Sequence, residues 1–309
     1  WIGFVKHLET PMMRNPERGF VSSANQHSTD PTYPYFYYGY FEDYRSRSLN
    51  QQLSKLRNIE VEDMQNLQRS NYSQYAADLC PLLLGKIERS TLSERGKDLF
   101  DLLSSWKYDY NAEAKAPMYF DLWSDLFYNL VWDEFDGVID QVKLPETWRT
   151  IALFEENPDH HYFDKVKTPE VETSKSLAEE AFKWTVHQYD SIQKISPGLS
   201  WQEHRTFDIP HLSRLPSFSA RKIKTGGTST ALNAVSARNA PSWRMIVELG
   251  EEVKAWGTYP GGSSGNPGSR FYKTGIDHWA KGSYYELLFV KGPEQIKKPN
   301  LLYTQTFIP

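Results

Sequence analysis

The chain has 309 residues, 39% hydrophobic and 24% charged, which is enough material for one large core or two ordinary ones. A net charge of −4 and the lack of any long apolar run give no ground for a nucleic-acid partner, an anionic membrane surface or a bilayer span. Cys80 stands alone, which excludes an intrachain disulfide, a thiolate metal site and a CxxC redox pair.

The start, Trp1-Ile2-Gly3-Phe4, has no initiator Met and no charged segment leading into an apolar one. The expectation is a processed product or a fragment whose upstream part carries other pieces of the fold. Three zones follow. Residues 1–44 are rich in Pro and aromatics and read as a strand-rich core segment; residues 45–214 read as mainly helical; residues 215–309 return to strands and carry a Gly/Ser loop.

The stretch Asn15-Pro16-Glu17-Arg18-Gly19-Phe20-Val21-Ser22-Ser23-Ala24-Asn25-Gln26 is the most informative in the first zone. Pro16 and Gly19 mark a turn, and residues 19–25 predict a strand of mostly small side chains ending in two carboxamides. Asn25 is then either a polar residue in a turn after an edge strand or a neutral donor presented to a developing oxyanion. Ser23 and Gln26 flank it.

In the second zone, Leu49, Leu53 and Leu56 mark a helix over residues 45–57, and Val61-Glu62-Asp63 opens another that runs through Gln68. Helices are predicted over residues 73–84, broken or kinked at Pro81, and over 92–106. Phe120, Trp123, Phe127, Leu130 and Val131 form one stripe within 117–135, and Leu177, Ala181 and Trp184 another within 174–189.

The third zone alternates through Ser242-Trp243-Arg244-Met245-Ile246-Val247-Glu248-Leu249 like a half-buried strand. Residues 256–269 then hold five glycines, so the loop is either a flexible surface connector or a place where backbone comes close to a ligand or another segment. A short helix at 277–281 and a strand through Tyr284, Tyr285, Leu287 and Phe289 close the zone.

Other residues admit other chemistry. Asp159-His160-His161 with Asp164 could form a metal site, although adjacent His side chains on a loop rarely converge on one ion. His204 beside Glu203, and His211, read as loop residues. Glu155-Glu156 and Asp133-Glu134-Asp136 allow a carboxylate pair for glycoside hydrolysis, or simply a solvated acidic face. A carbohydrate-binding or glycosidase-like protein and a non-catalytic structural partner are therefore the alternatives.

In their order, these segments resemble the penicillin acylase family of N-terminal nucleophile hydrolases, over the C-terminal part of the catalytic β-chain. The matching pieces are Asn15 to Gln26 as Asn-Pro-x-x-Gly-aromatic-Val followed by Ala-Asn-Gln, and Tyr44-Arg45-Ser46-Arg47 with Arg47 at the family's interval after Asn25. Met64 to Gln68, Ala76 to Leu83, Pro241 to Leu249, Pro260 to Ser269, and Trp279, Gly282 and Tyr284-Tyr285 continue the series.

The resemblance implies an α+β fold, part of an αββα sandwich with a large helical insertion. It implies an amidase whose nucleophile is a Ser heading the β-chain, activated by its own α-amino group. Asn25 is then the oxyanion-hole side chain and Arg47 the charged residue that orients the site. Partners implied are the upstream part of the β-chain, a small α-chain of the same precursor and a small-molecule amide: an acyl amide, a β-lactam side chain or an acyl-homoserine lactone. A periplasmic or secreted location follows from the same resemblance.

Trp1 heads the chain, so the nucleophile lies outside these residues and the chain alone is expected to be inactive. Ser263 and Ser264 stand where the family reads Gly-Gln-Ser-Gly and are expected to shape the loop more than the chemistry; Ser269-Arg270-Phe271-Tyr272 departs from Ser-x-His-Tyr in the same way. No cofactor is expected. Many members hold a structural calcium, but the aligned position of one ligand is Phe36, and Asp30 or Asp43 would replace it only with local shifts.

Overall fold

The structure, a computed structural model, describes residues 3–30, 32–35, 39 and 41–308. It has two units: Trp1–Asn58 with Asn66–Ala240, and Ile59–Gln65 with Pro241–Pro309. The chain mixes helix and sheet. Its helices are α1 (Tyr44–Lys55), α2 (Val61–Gln68), α3 (Gln74–Leu84), α4 (Glu94–Ser105), α5 (Ala116–Val131), α6 (Thr147–Glu156), α7 (Ser174–Ile195), α8 (Trp201–His204) and α9 (Ile276–Ala280).

The core of the first unit is built on α5 and α7. The apolar stripe of α5 turns Phe120, Trp123 and Phe127 inward to complete burial. Trp123 packs edge-on against Phe182 of α7 with ring centres 4.8 Å apart, and its indole N–H finds the Ala178 carbonyl at 3.1 Å. Phe127 meets Phe154 of α6 at 5.2 Å, so the third helix joins the same aromatic layer. Cys80 is buried in α3, and burial pushes its thiol up to about 12, which makes it an inert packing group.

Local signals explain the helix starts. The Ser73, Ser93 and Thr173 hydroxyls accept from the backbone N–H three residues on, capping α3, α4 and α7. Pro81 neither breaks nor ends α3, which continues to Leu84. The helix α6 was not among those predicted from the sequence: of its large apolar residues Trp148, Ile151, Leu153 and Phe154, only Ile151 and Phe154 are buried, and Phe154 packs on Phe127 of α5.

The predicted strand over residues 19–25 does not form. A strand needs a ladder partner, and this segment is instead tied to α1 by side chains: Arg18 Nη1 and Ser22 Oγ both donate to Asn50 Oδ1, at 3.0 and 2.9 Å. The only sheet described in the first unit is antiparallel β1 (Phe207–Ile209) with β2 (Ala220–Ile223).

The second unit holds an antiparallel sheet of β3 (Arg244–Glu248), β4 (Lys254–Thr258) and β5 (Tyr285–Leu287), with β4 in the middle. Arg244, 4% exposed, donates to the Trp279 carbonyl at 2.9 Å, and the Trp279 indole donates to the Pro241 carbonyl at 2.7 Å. These bonds fasten α9 to the head of β3, so the Pro-Ser-Trp-Arg motif is structural here. The glycine-rich loop closes on its own unit: a Cβ at Gly262 would lie 1.8 Å from the Phe271 carbonyl oxygen, and Gly275 N–H donates to Gly261 O at 2.7 Å. Of the readings open for that loop, close approach to another chain segment is the one the structure displays.

Candidate active site

Two adjacent cavities in the first unit share Phe41 and Tyr44 in their walls. The smaller, about 280 Å³, is lined also by Asn25, Glu42, Arg45, Lys143, Glu146, Ser229 and Thr230. The larger, about 870 Å³, has Gln26, Asp43, Arg47 and Asp78 among its polar lining and Pro81, Leu82, Trp148 and Ile151 among its apolar lining.

Asn25 has φ +53°, in the left-handed region that Asn tolerates better than most residues. Its side chain meets Arg45, the second residue of α1, with Nη2 2.5 Å from Oδ1. A guanidinium carries donors and no acceptor, so the carboxamide must turn its oxygen to Arg45. The amide N–H₂ is left facing away, with no hydrogen-bond partner among the described residues.

Arg47 is placed elsewhere. Its Nε donates to Asp43 Oδ1 at 2.9 Å and its Nη2 to Asp78 Oδ2 at 2.5 Å, clamping the first turn of α1 to α3. The two carboxylates hold the guanidinium above its ordinary value against the opposing pull of burial. Arg45 is pulled down from its ordinary value by burial, and its recorded side-chain bond goes to Asn25. Arg45 was not singled out from the sequence. The signal was present in Tyr44-Arg45-Ser46-Arg47, where two arginines fall on different faces of the helix start and counting from Asn25 selects the second.

The turn before α1 is pinned from the opposite side. Glu42 Oε1 accepts from Thr147 N at 2.9 Å and from Thr147 Oγ1 at 2.6 Å, while the Tyr44 hydroxyl lies 2.9 Å from the same Oγ1. Thr230 is held by a bond between its Oγ1 and Ser73 Oγ at 2.7 Å.

Of the remaining expected residues, Ser23 is exposed, and Gln26 is half-buried with its Oε1 enclosed and without a hydrogen-bond partner among the described residues. Ser263 and Ser264 lie in the second unit. Ser263 is exposed, and Ser264 Oγ accepts from Asn266 N at 3.2 Å within the glycine-rich loop.

Phe36, Asp30 and Asp43 are the residues weighed for calcium. Phe36 lies outside the described residues; Asp30 accepts from the Thr32 hydroxyl and from the Thr32 N–H, which together hold its carboxyl below its ordinary value, and Asp43 accepts from Arg47. Among the described residues no group of three or more His, Cys, Asp or Glu converges on a metal position. His160 stacks on Tyr162 and meets His161 with the rings tilted, and His160 Nδ1 accepts from Tyr162 N. Asp133 Oδ2 accepts from Val166 N at 3.1 Å and Asp136 pairs with Lys167 at 2.6 Å, while Glu155 and Glu156 end α6 exposed.

The family profile described as penicillin amidase matches residues 1–297. The chain belongs to the penicillin amidase family. It is 24% identical to the acyl-homoserine lactone acylase QuiP of Pseudomonas syringae pv. syringae, over 93% of this chain and 39% of the relative. It is 22% identical to the QuiP of Pseudomonas aeruginosa, over 94% of this chain and 40% of the relative. The family member spans about two fifths of the length of these curated relatives. In fold it is similar to the thermostable penicillin G acylase from Alcaligenes faecalis, with a TM-score of 0.52 at 13% identity, covering 100% of this chain and 60% of that one. Among the described residues no helix is long and apolar enough to cross a membrane.

Proposed function

We propose that this chain supplies the oxyanion-stabilising side of an amide hydrolase that cleaves a linear amide, with N-acyl-homoserine lactones as the first substrate class to try. The observation that carries the reading is the Asn25–Arg45 pair at 2.5 Å. Arg45 occupies the carboxamide oxygen, which aims the two N–H bonds away from it and makes the positive end of the amide dipole available.

In the proposed reaction a Ser at the head of the catalytic chain, supplied by another part of the protein, attacks the substrate carbonyl. Its own α-amino group takes the proton, which its ordinary pKa near neutrality suits. The Asn25 N–H₂ donates to the oxygen as it gains charge; the C–N bond breaks, the amine leaves with the proton, and water releases the acid from the acyl-enzyme. Arg45 keeps the donor from rotating. It also adds positive potential behind the carboxamide, which favours the anionic intermediate over the neutral substrate.

Family membership and the QuiP likeness support the reaction class, and family membership supports a precursor cleaved into chains and an extracytoplasmic location. The experiment is hydrolysis by the full-length protein of a panel holding phenylacetyl, short-chain and long-chain acyl amides and acyl-homoserine lactones. Release of free acid and free amine in equal amounts is expected. Hydrolysis of the lactone ring alone, or saccharide binding without amide cleavage, would overturn the reading.

A further inference from the structure

Glu42 makes an unusual helix cap. Thr147 opens α6, and the residue just before it, Glu146, makes no side-chain cap of its own; its carboxylate is paired with Lys143. A helix start leaves backbone N–H groups unsatisfied and favours a negative charge. Here the acceptor arrives from 105 residues away, as Glu42 Oε1 takes both the N–H and the hydroxyl of Thr147. The Thr147 hydroxyl has one proton, and that proton is given to Glu42, so the Tyr44 hydroxyl must donate to Thr147 Oγ1. Tyr44 is 1% exposed, while Glu42 and Thr147 are half-buried.

The consequence lies in chain order. Residues 42, 44 and 45 are fixed in succession: the first two on α6, the third on Asn25. A local Ser or Thr at position 146 would cap α6 equally well without coupling it to anything. We infer that Glu42 is a positioning residue: by holding the entry of α1 on the start of α6 it sets where Arg45 stands, and so which way the Asn25 carboxamide points. The inference rests on the reading of Asn25 as oxyanion donor.

The test is a set of steady-state kinetics and melting curves on the full-length protein with Glu42→Ala, Glu42→Gln, Asn25→Ala and the Asn25→Ala/Glu42→Ala double variant. Glu42→Ala is expected to lower kcat roughly 10-fold with KM unchanged, since a misplacement of about 1 Å costs up to roughly 10²-fold and a lost cap contact moves the group less than that. Glu42→Gln, which keeps an acceptor for the Thr147 N–H, is expected to recover most of the loss. In the double variant the Glu42 change is expected to add nothing to the roughly 10²–10³-fold loss from Asn25→Ala, since both act through one group. A cap with no positioning role gives a lower melting temperature with wild-type kcat, and that result, or losses that multiply, would overturn the inference. Asn25→Ala with undiminished kcat would sink the reading of Asn25 and this inference together; a crippled Asn25→Ala beside a normal Glu42→Ala would sink this inference alone. If Glu42→Ala does not fold, Thr147→Val removes the hydroxyl link and leaves the backbone N–H in place; a several-fold kcat loss supports the inference and an unchanged kcat opposes it.

Discussion

Arg45 Nη2 stands 2.5 Å from Asn25 Oδ1, whereas Arg47, two residues on, is bound to Asp43 and Asp78. The two arginines of one helix start therefore have separable jobs. Arg45→Ala is predicted to lower kcat roughly 10-fold by freeing the Asn25 carboxamide to rotate. Arg47→Ala is predicted to lower stability by about 1 kcal/mol, a modest figure because its side chain is 37% exposed, and to change kcat less than Arg45→Ala does. Parallel kinetics and urea unfolding of the two variants check the split.

Much of the helical framework was legible because burial and period coincide. The stripe of Phe120, Trp123 and Phe127 needed no tertiary knowledge, and α5 spans Ala116–Val131 within the expected 117–135 but for its first residue. The strand Arg244–Glu248 was legible for the same reason at period two. Residues 19–25 were not, since β-propensity in Phe20 and Val21 counts only when a neighbouring strand supplies the ladder. The geometry at Asn25 was not legible. Its positive φ, its partner Arg45 and the distant Glu42–Thr147 link depend on contacts that no local pattern encodes.

The glycine-rich loop supplies a stability test in the second unit. At Gly262 an added Cβ would meet the Phe271 carbonyl oxygen at 1.8 Å, while at Gly265 it would meet nothing within 4 Å. Gly262→Ala is predicted to cost roughly 1–3 kcal/mol or more, and Gly265→Ala close to nothing. Thermal unfolding of both variants distinguishes them; equal melting temperatures would contradict the close approach.

The α5–α7 layer makes a similar commitment. Phe182 is 1% exposed and packs on Trp123, so Phe182→Ala is predicted to cost about 3–5 kcal/mol through lost burial and the cavity left behind. Denaturant midpoints at a constant slope measure it.

Asp121 gives a pH dependence with a definite sign. Burial raises its carboxyl from 3.8 to about 7, although the Tyr110 hydroxyl, donating at 2.6 Å, favours the ionised form. The folded protein thus binds the proton more tightly than the unfolded chain. The folded state carries no penalty from this group below 3.8, loses stability as pH rises from there to about 7, and keeps the full penalty above. Asp121→Asn is predicted to melt at a higher temperature than wild type above neutrality, with the gain shrinking as pH falls toward 3.8. Melting temperatures of the pair across that range are the check, and a gain that grows on acidification would contradict the assignment.

The central claim is that the Asn25 carboxamide stabilises charge on the substrate oxygen. Its most direct measurement is kcat for acyl-amide hydrolysis by the full-length, processed protein, wild type against Asn25→Ala. The expected result is a loss of roughly 10²–10³ in kcat with little change in KM. An Asn25→Ala enzyme that turns over at the wild-type rate would contradict it.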